Sequence, residues 1–225
     1  MNGLRRISCC CAVCGNVSDQ VIAIVNCGYG PDDLDTRPAE PKRSVQKYEI
    51  QECPCCGYTS RSIELSPPAF VDHIWLQDAN ARLYCGLSFK DDTARSFFRY
   101  YMICKEAGNK KEALWAIMRA AWMCDDANDL KSAERCRTIG ARIAEELLKE
   151  TNDSDYQLLR VDFLRRAGLF QNGIEEIDKY VSKATRKKQI CEFEKALMQK
   201  RDRTSRLVTE GIKYKGNMGD VVERI

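Results

Sequence analysis

Apolar and polar positions change their period once along the chain. From Phe70 onward apolar residues recur about every 3.6 positions, which predicts helices near 70–86, 94–107, 111–126, 130–149, 155–167, 172–184 and 187–201. Breakers fall between them: Gly108-Asn109, Asn128-Asp129 and Asn152-Asp153. Before Phe70 the pattern is that of short strands and loops. Val21 to Val25 is a β-branched run stopped by Gly28 and Gly30, Tyr48 and Ile50 alternate with polar residues, and Ser60 to Leu65 reads as a further strand.

The helical faces differ. Over 111–126, Ala113, Ile117, Ala121 and Cys124 form one stripe while Trp115, Met118 and Trp122 form another, so this helix is expected to be buried between neighbours. Over 130–149 a single stripe of Ala133, Cys136, Ile139, Ile143 and Leu147 suits an outer position. Ser154 with Gln157 three residues on has the spacing of a capping box. A weak internal echo aligns Glu106 to Ala113 with Arg166 to Gly173, each a helix ending at glycine with a small residue five positions later. That arrangement is similar to the turn of a tetratricopeptide repeat (TPR), although the 60-residue offset is not one 34-residue repeat.

These patterns predict a mainly α fold, with a small N-terminal β module followed by a TPR-like stack of α-hairpins. Pro67-Pro68 cannot continue a ladder or sit inside a helix, so the expected division is 1–66, 67–203 and a weakly structured tail, 204–225. Leu207, Val208 and Ile212 are enough for a short helix in that tail, and Gly216 and Gly219 suggest fraying.

Composition narrows the class. With 44% hydrophobic and 31% charged residues the chain is an ordinary globular one. Its apolar runs, such as Val21 to Val25 and Ala113 to Met118, are too short for a membrane span, and residues 1–14 lack the apolar core of an export signal. The net charge of +3 is unevenly spread: residues 1–66 hold seven Lys/Arg against eight Asp/Glu, and residues 186–225 hold eleven against six. A basic footprint for nucleic acid is therefore absent from the N-terminal module. It is present only toward the C-terminus, at Arg186-Lys187-Lys188, Lys200, Arg201, Arg203 and Arg206, where a solvated helix face is the plainer reading.

The thirteen cysteines carry the clearest chemistry. Cys104, Cys124, Cys136 and Cys191 lie inside helical apolar patterns and read as small hydrophobes. Cys11-Ala-Val-Cys14-Gly15 and Cys53-Pro-Cys55-Cys56-Gly57 each place two thiols three positions apart with glycine next, a turn that aims both sulfurs at one ion. Thirty-eight residues separate the two knuckles, with the proline-bearing stretch 31–43 as the excess. Cys11, Cys14, Cys53 and Cys56 are the expected ligands. Zinc is the leading ion because four thiolates close a tetrahedron, and iron is the competitor because rubredoxin-like sites use similar knuckles.

Cys9, Cys10 and Cys55 sit beside those ligands as bystanders or as thiols able to exchange in, and Cys27 reads as packing. The Asp32-Asp33-Leu34-Asp35-Thr36-Arg37-Pro38 stretch reads as a solvated loop, or as a second site or partner contact. Phe97, Phe98, Tyr100 and Tyr101 read as inter-helix core. The single histidine, His73, and the lack of a phosphate-cradling loop argue against an enzyme. Thiols kept free fit a reducing cytoplasm.

On Cys11, Cys14, Gly15, then Asp35-Thr36-Arg37-Pro38, then Cys53-Pro54, Cys56-Gly57-Tyr58, the chain resembles an uncharacterised bacterial family. Its members join a four-cysteine ribbon to tetratricopeptide-like helices. The resemblance implies metal binding by the four cysteines and a helical-repeat body, and it implies no reaction. The expected function is a zinc-binding scaffold or adaptor holding a protein or peptide in a helical groove. Two alternatives stand beside it: a nucleic-acid-binding ribbon using the basic C-terminal helices, and a rubredoxin-like iron or thiol redox sensor.

Overall fold

The computed structural model describes residues 3–25, 27–84, 88–179 and 185–216. The fold is mainly helical, with a small N-terminal β region that carries the cysteine knuckles. Contacts divide the chain into two compact units: residues 1–28 with 40–133, and residues 29–39 with 134–225.

In the first unit, β1 (Leu4–Cys10) and β2 (Val17–Ala23) form an antiparallel hairpin in which Cys10 faces Val17. The β-branched run thus starts earlier than its apolar residues suggest, and β1 is a strand the sequence pattern leaves unmarked. A short helix α1 (Lys42–Val45) and a 3₁₀ turn (Gln46–Tyr48) lead to a second hairpin, β3 (Gln51–Glu52) and β4 (Thr59–Ser60). The predicted strand beyond Ser60 is a turn, with the Leu65 N–H donating to Ser62 O at 3.1 Å. Helices α2 (His73–Tyr84), α3 (Asp92–Glu106) and α4 (Lys110–Asp126) follow. The expected extension of the first helix to residue 86 lies outside the described residues.

One core runs across Pro67-Pro68, where the sequence pattern predicts a boundary. Cys9, Cys11, Cys53, Tyr58 and Ile63 from the hairpins are buried with Val71, Leu76 and Ile103 from the helical part. Polar contacts reinforce it: Glu52 accepts from Ser96 Oγ and Arg99 Nη1, and Arg119 Nε donates to Glu49 Oε2 at 2.6 Å. Trp115 lies between two guanidinium groups, Arg61 at 3.7 Å and Arg119 at 3.9 Å from its ring centroid. As its two stripes predict, α4 is buried over most of its length. Phe97, Phe98 and Tyr101 are core residues, as expected, whereas Tyr100 is only half-buried, its hydroxyl donating to Glu112 Oε1 at 3.1 Å.

Helix α5 (Leu130–Thr151) contains the division between the units, at Ala133 and Glu134. The second unit adds α6 (Ser154–Arg166), α7 (Phe170–Lys179), α8 (Thr185–Gln199) and α9 (Val208–Lys213). Residues 180–184 of the predicted sixth helix lie outside the described residues. The cap of α6 is Asp153, whose carboxylate accepts from the Asp155 N–H at 2.9 Å, and not Ser154. Gln157 is consequently free to turn inward, where its amide donates to the Glu176 carbonyl and carboxylate.

The internal echo has a backbone counterpart. α3 and α6 end at Gly108 and Gly168 with φ of 71° and 78°, and Asn109 and Leu169 N–H reach back to Cys104 O and Leu164 O at 2.9 and 2.8 Å. Those are Schellman closures, in which a left-handed glycine satisfies the last carbonyls.

The prolines and charges of the stretch 31–43 suggest an exposed excursion. Its first part instead packs into the second unit: Asp33, Leu34, Asp35 and Arg37 are buried, while Asp32 and Thr36 are exposed. Asp33 and Leu207 form a β-bridge, and the Leu34 and Val208 N–H groups donate to Arg206 O and Asp32 O at 2.8 and 2.9 Å. Residues 204–216 are likewise ordered by this pairing, by α9, and by Arg206 pairing with Asp202 and Glu210. The loop's carboxylates are met by residues far away in sequence, Asp33 by the Ser205 hydroxyl and Asp35 by the Arg166 guanidinium, so its local composition does not show its burial.

Candidate metal centre

Both cysteine knuckles sit where a hairpin turns. In the first, the Gly15 N–H donates to Cys11 O at 2.8 Å and the Cys11 N–H to Asn16 O at 2.9 Å. In the second, the Gly57 N–H donates to Cys53 O at 2.9 Å and the Cys53 N–H to Tyr58 O at 2.8 Å. The two glycines have φ of 70° and 74°, so each turn uses the left-handed region that side chains disfavour. Identical bonding at identical offsets makes the knuckles two copies of one device.

Between them the four Sγ atoms of Cys11, Cys14, Cys53 and Cys56 converge, all within 4.8 Å of one another. Cys11 and Cys56 approach to 3.7 Å, and Cys14 and Cys53 to 3.6 Å. A tetrahedral ion with metal–sulfur bonds of about 2.3 Å needs sulfurs about 3.8 Å apart. The four thiols therefore fit a metal ion such as zinc or iron.

Backbone donors tune the thiols in matching fashion. The Asn16 N–H brings the Cys14 thiol down to about 7, despite some opposing burial. At the equivalent offset, the Tyr58 N–H acts on Cys56, but burial dominates and pushes that thiol up. Burial also raises Cys11, against the Cys14 and Val13 N–H groups. Since thiolates are the ligand form, a bound cation displaces these protons and its affinity rises with pH.

The surrounding contacts hold the knuckles in place. The Ala12 N–H donates to Ile63 O at 2.8 Å, and the Gln20 amide donates to Glu52 O at 3.1 Å, linking the two hairpins. Cys9 is buried in the same core, whereas Cys10 and Cys55 are exposed beside the knuckles. Cys10 Sγ lies 3.5 Å from Gly15 O. Cys27, expected to pack, is exposed, and Cys104, Cys124, Cys136 and Cys191 are buried as the helical pattern predicts. His73 is exposed at the start of α2.

Other residues singled out in the sequence lie elsewhere. Of the basic C-terminal groups, Lys187 meets Asp155, Arg203 meets Glu134 at 2.9 Å, and Arg201 lies over the Phe170 ring. Buried polar groups in the second unit escaped sequence reasoning. Arg165 is fully enclosed, with Nη2 donating to Asp162 at 2.6 Å, Nε to Glu194 at 2.5 Å, and Nη1 to the carbonyls of Asp202 and Thr204. The one available signal was the alternation of Asp33, Asp35 and Arg37 around Leu34, which resembles a strand more than a solvated loop.

Among the described residues no helix is long and apolar enough to cross a membrane. Comparison with family models, with curated proteins and with solved structures gave no match to this chain.

Proposed function

We propose that this chain is a metal-stabilised helical scaffold that binds a protein or peptide partner. The convergence of Cys11, Cys14, Cys53 and Cys56 sulfurs carries the reading. Zinc is the ion we favour, because four thiolates close its tetrahedron and leave no position open for substrate; no reaction is assigned to the centre. Bound there, zinc would supply folding free energy to a β region with little apolar surface of its own.

The adaptor role rests on the stacked helices and on the resemblance to a family that couples such knuckles to tetratricopeptide-like hairpins. Its free thiols suit a reducing compartment, and we place it in the cytoplasm. A nucleic-acid role draws less support, since Lys187, Arg203 and Arg206 are engaged by carboxylates.

Elemental analysis of protein purified without added metal, read beside its visible spectrum, tests the centre. One zinc per chain and no colour is the expected result. One iron per chain with thiolate-to-iron absorption would replace the scaffold with a redox or sensing protein, and no bound metal would remove the reading.

A further inference from the structure

A short strap of the chain lies on the second unit as a bound peptide would. Residues 29–39 belong to that unit, while the residues on both sides of them, 1–28 and 40–133, belong to the first. The Leu34 N–H donates to Arg206 O at 2.8 Å and the Val208 N–H to Asp32 O at 2.9 Å, on either side of the bridge between Asp33 and Leu207. Leu34 enters an apolar cluster with Phe193, Ala196, Leu197 and Tyr214. The carboxylates that flank it are met in turn, Asp33 by the Ser205 hydroxyl and Asp35 by the buried Arg166 guanidinium. The Thr36 N–H then donates to Asp33 O at 2.9 Å and closes a turn.

These are the elements of recognition by strand addition. Main-chain bonds hold the segment, a pocket selects one side chain, and a charge-assisted pair fixes the register. The strap does not fill the place it occupies. A cavity of about 270 Å³ remains beside Leu34, walled in part by Leu158 and Leu159 of α6, Ile190 of α8 and Val208 of α9. A segment docked in this way, over unfilled space, is open to competition from a ligand of the same chemistry.

We propose that the strap is an internal stand-in for the partner. The groove between α6, α8 and residues 205–208 binds an acidic partner segment of the Asp-Leu-Asp kind, and residues 32–37 close it until that segment displaces them. The inference rests on the scaffold reading and names the chemistry of its partner. A tethered strap has an effective concentration on the order of millimolar, so a partner in trans meets a closed groove and binds it more weakly than an open one.

The test uses a capped, fluorophore-labelled peptide of residues 31–38 and reads its anisotropy against the full chain. Saturable binding to Asp35→Ala, whose own strap is released, is expected, with at least about tenfold weaker binding to the native chain. The same peptide carrying Asp35→Asn should bind about tenfold more weakly than its parent, since it lacks the charge for Arg166. Should the Asp35→Ala chain fail to fold, amide exchange in the native chain decides. Excess unlabelled peptide should speed exchange of Leu34, which leaves the groove, while Val208, which the peptide covers, stays slow. No saturable binding, equal binding of the two peptides, or a Leu34 rate unmoved by peptide would overturn the proposal. So would dimerisation of the native chain that the peptide abolishes, since a second copy would then be the occupant. Any of these results beside one zinc per chain would strike the groove and leave the metal-stabilised scaffold standing.

Discussion

Asp35 and Arg166 meet across 131 residues of sequence, carboxylate to guanidinium, with both side chains buried. The pair ties the segment 29–39 to α6, inside the second unit. Removing one partner leaves the other as an enclosed charge, which costs about 3–5 kcal/mol. Asp35→Ala should therefore release the segment, and exchange of the Leu34 amide, bonded to Arg206 O at 2.8 Å, reports it directly. Exchange at the native rate would show that the bridge to Leu207 suffices alone. Asp35→Ala with Arg166→Met should recover part of the loss, because no charge is then left buried.

Metal removal is expected to disturb the helices as well as the hairpins. Cys11 and Cys53 share a core with Val71, Leu76 and Ile103, and structural zinc contributes about 10 kcal/mol or more, comparable to the whole stability of a domain. All three tryptophans, Trp75, Trp115 and Trp122, belong to the first unit, so their emission reports that unit selectively. Chelation or Cys53→Ser should red-shift the emission and lower helical circular dichroism together. Unchanged emission with lost metal would mean that the hairpins unfold by themselves at Pro67-Pro68.

The difference between these two sites explains what could be read in advance. A knuckle is local: two cysteines, a glycine and two backbone bonds lie within six residues, so Cys11 to Asn16 and Cys53 to Tyr58 announce themselves in sequence. The helices from 92 to 166 are similarly legible, because a stripe of Ala133, Cys136 and Leu147 needs only its own period. Asp33, Asp35 and Arg37 look like a solvated loop because the side chains that meet two of them, the Ser205 hydroxyl and the Arg166 guanidinium, stand 172 and 131 residues away. Even the α6 cap turned on neighbours, since Asp153 and Ser154 are both good cap residues and only geometry chooses between them.

Acid should weaken the first unit through Asp129. Its carboxylate accepts from the Ser132 N–H at 3.3 Å and the Lys90 N–H at 3.2 Å. Burial opposes the charge, but Ser132, Lys90 and their N–H donors win and hold the carboxyl below its ordinary value of 3.8. A group depressed on folding stabilises above its unfolded pKa, and that contribution is lost as pH falls through the folded one. Asp129→Ala should cost about 1–2 kcal/mol near neutrality and progressively less below pH 3.8. Denaturation followed by tryptophan emission across that range checks it. A penalty constant down to strong acid would mean that the charge contributes nothing.

Two helical glycines in the second unit should respond differently to alanine. Either change gains about 1 kcal/mol of intrinsic helix propensity. At Gly140 an added Cβ would meet the Phe163 ring at 2.8, 3.1 and 3.2 Å, and that ring is itself enclosed at 1% exposure. A rigid ring in a packed core cannot yield cheaply, and overpacking of this kind costs about 1–3 kcal/mol, so Gly140→Ala should be destabilising on balance. At Gly173 the added Cβ would meet Met198 Cε at 2.4 Å and Sδ at 2.6 Å, which are the far end of a flexible chain. Methionine repacks readily, so Gly173→Ala should be close to neutral. Thermal unfolding followed by far-ultraviolet circular dichroism distinguishes the pair, and a larger loss at Gly173 would mean that Met198, enclosed at 2% exposure, has no second rotamer to adopt.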